Sequence, residues 1–167
     1  MMRYLFFTSL LMCCFFAASA PSFAQDRYVR THRATSTGRD AEMRILELVN
    51  RQRARSNASQ LTWNEDIAGV ARAYSERMAR EDFFGHYDPE GHTAIERASK
   101  VRGWGMIGEN LFVSEDVADL AAFAIRGWLG SETHRTNMLD PQWTSTGIGL
   151  ARAANGDIYI TELFTRR

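Results

Sequence analysis

The chain has 167 residues, and its 20 lysines and arginines balance 20 aspartates and glutamates, so its formal net charge is zero. A neutral chain gives no electrostatic case for binding nucleic acid or an anionic membrane surface, and we expect neither. The length suits one domain that buries a core of its own.

Residues 1–24 predict a signal peptide. Arg3 is the only charge, Tyr4–Ala18 is an apolar run, and the small residues Ser22 and Ala24 form a cleavage signal. We expect cleavage after Ala24, with Ala20 as the second choice. The apolar run is too short for a convincing membrane span, so none is expected after cleavage.

Both cysteines, Cys13 and Cys14, lie inside this segment. A lipid anchor on either is disfavoured, because Met12 and Cys13 stand where a small residue would be expected. Once the segment is removed no disulfide can form, which suits a bacterial export route better than a eukaryotic secreted domain of this size. We therefore expect a secreted or periplasmic protein.

Two helices are predicted next. Residues 25–39 are polar and basic without an apolar period, so they predict a flexible leader before a domain at residues 40–167. Asp40 is the predicted N-cap of the first helix, whose apolar face and basic end reach Arg55. Asn64 is the predicted N-cap of the second, over NEDIAGVARAYSERMARED.

His86 lies between an aromatic pair and a turn, in FFGHYDPEGH. Pro89 and Gly91 suit the turn, because proline presets the backbone and glycine tolerates positive φ. A histidine held in this way serves either a functional site or a structural hydrogen bond, and the local sequence leaves both open. His92 is expected on the surface, and its spacing from His86 is not that of a zinc-binding helix.

Glu109 and Asn110 stand among apolar residues in MIGENLFVS, after a short helix predicted over residues 93–101. A carboxylate in apolar surroundings requires a partner, because burying it alone costs several kcal/mol. The partner is expected to be a set of backbone N–H groups, an arginine or a histidine.

A well-buried helix is predicted from Asp116 to Gly130, leading into WLGSETHRTNMLDP. This stretch is expected to be a loop, fixed at both ends, that holds His134 as a ligand or general base. A helix cap that offsets the helix dipole is the alternative. Ser131 as a nucleophile with His134 as its base is disfavoured, because no strained nucleophile elbow surrounds Ser131.

The apolar period changes from helical to alternating after Trp143. TSTGIGLARA and DIYITELFTR predict two strands, joined by a hairpin at Asn155 and Gly156. Helices followed by a late antiparallel sheet predict an α+β domain.

GHYDP around His86, GEN around Glu109 and SETHRTNML around His134 resemble motifs of the CAP superfamily, the cysteine-rich secretory, antigen 5 and pathogenesis-related proteins. A following tryptophan and a GIG strand strengthen the resemblance, which covers residues 41–164 and is closest to the short, cysteine-free bacterial branch. It implies an α-β-α sandwich with a central antiparallel sheet, flanking helices and a surface cleft lined by two histidines and two glutamates.

The same resemblance assigns residues to that cleft. His86 and His134 are its histidines and Glu109 is one glutamate. The second glutamate falls where this chain has Ser131, so either the adjacent Glu132 replaces it or the cleft lacks it.

Asn110, Ser131 and Glu132 are therefore expected to line the cleft and contact its ligand. In some family members the two histidines bind zinc, which implies a weak Zn²⁺ site at His86 and His134. Glu109 would then orient a histidine or take a proton from water.

Two functions follow. The first is an exported, monomeric module that binds an unknown protein, lipid or cell-envelope ligand through the cleft without turnover. The second is a divalent-metal-dependent, protease-like hydrolase with Glu109 as its catalytic residue. A purely architectural role, with His86, Glu109 and His134 locking three loops together, remains the alternative to both.

Overall fold

The computed structural model describes residues 23–166, with side chains described from residue 38 onward. Residues 1–22, which hold most of the predicted signal peptide, lie outside the described residues. The helices are α1 (Phe23–Arg55), α2 (Glu65–Glu81), α3 (Ala94–Arg97), α4 (Leu120–Gly130) and α5 (Glu132–Leu139). The strands are β1 (Thr62–Trp63), β2 (Met106–Ser114), β3 (Ser145–Arg152) and β4 (Ile158–Arg166).

The first helix begins earlier than the sequence predicts. α1 runs through residues 25–39, which were expected to be a flexible leader, so Asp40 is an interior residue and not the N-cap. This stretch contains no proline and only one glycine, so nothing in it prevents the helical hydrogen bonds from continuing. By contrast, Asn64 caps α2 as predicted, because its side chain accepts a hydrogen bond from the N–H of Ile67.

The four strands form one sheet in the order β1-β3-β4-β2. β3 and β2 both pair antiparallel with β4, whereas the two-residue β1 is parallel to β3. The predicted hairpin is confirmed: β3 and β4 are joined through Gly156, whose φ of 99° suits glycine. β2 lies at one edge of the sheet, which leaves one side of this strand open to side chains from neighbouring helices.

α2 packs directly on β3 because two glycines of that strand have no Cβ. A Cβ on Gly147 would lie 2.2 Å from the backbone nitrogen of Ala68, and one on Gly149 would lie 2.1 Å from that of Arg72. Both distances are far shorter than a van der Waals contact, so the GIG sequence sets the separation of helix and sheet.

α1, α4 and α5 cover the other face of the sheet, which completes the α-β-α sandwich and confirms the predicted fold class. Trp128 is fully buried in this layer, and its indole nitrogen donates to the Leu111 carbonyl at 2.9 Å. The core here also contains Ile45, Val49, Ala124, Met138, Ile148, Ile160 and Phe164.

Arg53 fastens the end of α1 to the segment that follows α5. Its guanidinium is fully buried and donates to the carbonyls of Ser59, Met138, Asp140 and Trp143, at 2.8 to 3.2 Å. Four backbone acceptors therefore satisfy this buried cation, and they hold the polypeptide on the C-terminal side of α5 in place.

Two predicted helices are shorter than expected. α4 begins at Leu120, because Asp119, and not Asp116, accepts a hydrogen bond from the N–H of Ala122 at 3.1 Å. α3 covers only residues 94–97, where Thr93 and Glu96 form a capping box. No helix among residues 23–166 is long and apolar enough to cross a membrane.

The segment after α4 is a helix and not the predicted loop. α5 spans Glu132–Leu139, with Ser131 extended at the N-cap position and an acidic residue in the first turn. These eight residues contain neither glycine nor proline, and a negative charge favours a helix N-terminus. His134 is therefore held by helical geometry.

Candidate functional site

His86 lies in the loop that connects α2 to α3, and the loop is fixed by the turn that follows. Asp88, which is buried, accepts hydrogen bonds from the backbone N–H of Glu90 at 3.1 Å and of His92 at 2.7 Å. Gly91 has a φ of 90°, as the predicted turn requires. Arg77 of α2 donates to the Asp88 carboxylate at 2.8 Å, so the turn is attached to the helix.

Glu109 of β2 has both of its carboxylate oxygens engaged. One oxygen lies 2.8 Å from Nδ1 of His86, and the other accepts from the guanidinium of Arg97. The Glu109 side chain is only 5% exposed, whereas that of His86 is 53% exposed. A nearly buried carboxylate thus holds a half-exposed imidazole by one ring nitrogen.

Arg97 is the centre of this network. It donates to the carbonyl of His86 at 3.1 Å and to that of His92 at 2.9 Å, in addition to Glu109. Its guanidinium also lies over the ring of Tyr74, 3.4 Å from the centroid. One side chain therefore joins α2, α3, β2 and the His86 loop.

His134 reaches the same edge of the sheet from α5. The carbonyl of His134 accepts from the side-chain amide of Asn110 at 3.0 Å, and Asn137 donates to the Asn110 side chain, also at 3.0 Å. Gly108 leaves room for this contact, because a Cβ there would lie 2.7 Å from Asn137 Oδ1 and 2.8 Å from a ring carbon of Trp143. Within GEN, Gly108 thus leaves space for α5, Glu109 holds the ring of His86 and Asn110 holds the backbone of His134.

The imidazole of His134 responds to its surroundings and to His86. Burial, and secondly the charge of His86, hold the pKa of His134 below its ordinary value of 6.5. Both effects favour the neutral imidazole, which is the form that binds a metal. His134 therefore presents a neutral imidazole near pH 7.

The other three residues predicted to line the cleft, Asn110, Ser131 and Glu132, differ in their exposure to solvent. Asn110 is fully buried, so its side chain holds α5 and is shielded from any ligand in the cleft. Ser131 is at the N-cap of α5 and Glu132 is exposed in its first turn. Within residues 38–166 no hydrogen bond joins the Ser131 hydroxyl to His134, and Ser131 is not on a strained turn.

A second group of ligand-type side chains lies beside the cleft. Asp88, Glu90 and His92 are the one set of three among the described residues whose donor atoms all lie within 4.8 Å of one another. Arg77 donates to both carboxylates of this group, so its guanidinium already provides the positive charge that a metal ion would bring. His92 is half-exposed, as predicted, and its ring nitrogen lies 3.1 Å from Asp88.

The sequence predicted that Glu109 requires backbone N–H groups, an arginine or a histidine as a partner. It did not identify Arg97 or Asn137 as residues of the site. One signal for Arg97 was present. In TAIERASKV the residues Ala94, Arg97, Ala98 and Val101 recur at helical spacing, so the arginine stands on the apolar face. An arginine on such a face requires buried acceptors, and the carboxylate of Glu109 is one of them.

Known proteins are similar to this chain in sequence. The family model described as CAP, the cysteine-rich secretory protein family, matches residues 46–164. An uncharacterized membrane protein of Bacillus subtilis, YlbC, is 31% identical over 137 residues, which is 76% of this chain and 35% of YlbC. A second uncharacterized B. subtilis protein, YkwD, is 26% identical over 140 residues, which is 83% of this chain and 53% of YkwD. This chain thus spans between about a third and a half of these relatives.

Solved structures are similar over most of the chain. An extracellular protein with an SCP domain from Bacillus anthracis superposes with a TM-score of 0.68 at 30% identity, covering 78% of this chain and 41% of that one. An outer surface protein from Borrelia burgdorferi gives a TM-score of 0.70 at 16% identity, covering 77% of this chain and 93% of its own. The second similarity concerns the fold alone.

Proposed function

The chain belongs to the CAP family of cysteine-rich secretory proteins, and from this premise we propose that it is an exported module that binds a ligand or partner through the cleft at His86 and His134. The proposal places the protein outside the cytoplasm, secreted or periplasmic, as a monomer that binds without turnover. Its partner is a protein, a lipid or another component of the cell envelope. Residues 1–24 act as the signal peptide.

The engagement of Glu109 carries this proposal. A general base requires a carboxylate oxygen that can take a proton, and both oxygens of Glu109 are already bonded to His86 and Arg97. The same contacts fix the orientation of an imidazole that is half-exposed. This arrangement suits the presentation of a fixed donor to a ligand better than proton transfer.

A divalent transition metal fits the donor set in part. With Nδ1 of His86 held by Glu109, Nε2 is the ring nitrogen left to coordinate, and the lowered pKa of His134 favours its neutral form. Two imidazoles suit Zn²⁺, but two protein ligands make an open and weak site. When bound, the metal would supply a Lewis-acidic centre to which a ligand of the cleft coordinates.

A metal-dependent hydrolase that uses the same cleft is the second candidate function. Glu132 favours it, because this exposed carboxylate follows directly after the position at which the family places its second glutamate. The hydrolase ranks second because its natural base, Glu109, is held by Arg97. Ser131 and Glu132 would have to supply the polar contacts to a substrate.

Zinc titration of the purified, metal-stripped protein by calorimetry tests the cleft. We expect one-to-one binding with a Kd of roughly micromolar strength, lost in both His86→Ala and His134→Ala. His92→Ala is the matched control, because its side chain is also 53% exposed and also bonds a buried carboxylate. Binding lost in His92→Ala but kept in the other two variants would place the metal at the neighbouring Asp88 group and contradict the proposed site.

Turnover separates the two candidate functions. Hydrolysis of fluorogenic peptides that requires added metal, and that disappears in the double variant of His86 and His134, would replace the binding module by the hydrolase. Absence of turnover together with metal binding supports the binding module.

A further inference from the structure

Arg97 makes more contacts with the cleft than its position on a four-residue helix would suggest. Its guanidinium donates to the Glu109 carboxylate, to the His86 carbonyl and to the His92 carbonyl, and it lies over the Tyr74 ring. A planar fork with several N–H donors can serve acceptors on different segments at once.

These contacts join the two segments that must be aligned for Glu109 to hold His86. The carboxylate belongs to β2 and the histidine belongs to the loop after α2, and no strand pairing connects them. Arg97 joins the loop backbone on one side and the Glu109 side chain on the other. The 2.8 Å contact between Glu109 and Nδ1 of His86 therefore depends on a third residue.

The alignment has a chemical consequence for the imidazole. A neutral histidine carries its proton on one of two nitrogens, and a carboxylate beside Nδ1 places the proton there. Nε2 is then the nitrogen with a lone pair. Without an aligned carboxylate the proton moves to Nε2, the tautomer that neutral histidine favours in water, and that nitrogen can no longer accept or coordinate.

We propose that Arg97 is a positioning residue of the cleft, which holds Glu109 against Nδ1 of His86 and so presents Nε2 as the ligand-binding nitrogen. The inference rests on the proposed function only in its expectation that the presented nitrogen binds a metal. The tautomer of His86 in the metal-free protein can be measured separately.

Arg97→Met removes the fork but keeps an unbranched side chain of similar bulk. Arg97→Lys is the conservative variant, which keeps a cation beside Glu109. The matched control is Arg72→Met, because Arg72 makes a two-fold contact with Glu42, a glutamate whose side chain is 4% exposed compared with 5% for Glu109. Arg72→Met therefore breaks an ion pair with an equally buried glutamate away from the cleft.

The tautomer is read from the ring nitrogen and proton resonances of His86 at about pH 8, where an ordinary imidazole is neutral. We expect the Nδ1–H form in the native protein and in Arg72→Met, a shift to the Nε2–H form in Arg97→Met, and recovery of at least half of the native signal in Arg97→Lys. A native tautomer in Arg97→Met, an equal change in Arg72→Met, or no recovery in Arg97→Lys would each overturn the role of Arg97.

The Kd for Zn²⁺ provides the second measurement. We expect Arg97→Met to raise it about tenfold or more, as is usual when the residue that orients a metal-binding histidine is lost, and Arg72→Met to leave it within about twofold. If the native protein binds no zinc, the metal site of the proposed function fails, while the tautomer measurement still decides whether Arg97 positions His86. Unchanged zinc affinity in Arg97→Met would contradict the inference.

Discussion

Glu162→Gln is expected to change how the stability of the domain depends on pH. Glu162 lies in the middle of β4 and is fully buried. One of its oxygens accepts from the Thr146 hydroxyl at 3.1 Å, and the other is buried without a hydrogen-bond partner among the described residues. Burial raises the pKa of Glu162 to about 8, although the Thr146 hydrogen bond and the charge of Arg53 act in the opposite direction.

The direction in which stability changes with pH depends on whether the folded or the unfolded state holds the proton on Glu162. Between about pH 4.5 and about pH 8 the folded protein keeps Glu162 protonated, whereas the unfolded chain releases the proton. The folded state is therefore at its most favourable below pH 4.5 and loses stability as the pH rises towards 8. The slope is about 1.4 kcal/mol per pH unit at most, and over this window of pKa values the loss is about 5 kcal/mol.

Urea unfolding at constant ionic strength, at several pH values from 4.5 to above 8, measures the effect. The free energy of unfolding of Glu162→Gln minus that of the native protein should increase with pH across the window, with unchanged m-values. Thr146→Val removes a contact that lowers the pKa, so it should move the upper end of the window above pH 8. A constant difference between Glu162→Gln and the native protein would refute the reasoning, because it would mean that Glu162 is ionised in the fold, as a partner of Arg53.

Two further predictions concern the packing of α2 and the cleft. Gly149→Ala should lower the free energy of unfolding by about 3 kcal/mol or more, because its Cβ would meet the backbone of α2 at 2.1 Å. Gly69→Ala, which has open space around its Cβ inside α2, should instead raise it by about 0.5 to 1 kcal/mol in the same urea titration. His86→Ala should raise the pKa of His134 in an NMR titration but leave it below 6.5, because burial is the larger cause of the lowering; no change would show that the two rings do not interact.

Local sequence signals predicted the structure correctly wherever a single residue determines the backbone conformation. Asn64 caps α2 and Gly156 turns the hairpin, as predicted. Both positions have a short-range physical cause, namely a side-chain acceptor for a free N–H and a positive φ. The family motifs were sufficient for the α-β-α sandwich as a fold class, but GEN was not identified as part of a strand and lies on β2.

The remaining features depend on contacts between distant segments. The start of α1 could not be read from Asp40, because a capping residue only permits a helix to begin and does not force it. α5 was expected to be a loop because its residues are mostly polar and show no apolar period. The helix is stabilised by distant residues, since Arg53 and Asn110 donate to its backbone carbonyls. The contact between Glu109 and Arg97 joins residues 12 positions apart through side chains alone. The helical spacing around Arg97 places it on an apolar face but does not identify Glu109 as its partner.

The alternation of side chains along β2 explains why both histidines reach one edge of the sheet. Successive residues of a strand point to opposite faces, so Glu109 faces the layer of α2 and α3, where Arg97 and His86 lie, and Asn110 faces the layer of α5, where His134 lies. Each histidine therefore belongs to a different layer of the sandwich. Adjacent residues of one edge strand contact them, Glu109 through the ring of His86 and Asn110 through the backbone of His134. A ligand held by both rings would join the two layers, so its affinity would depend on how accurately β2 aligns them.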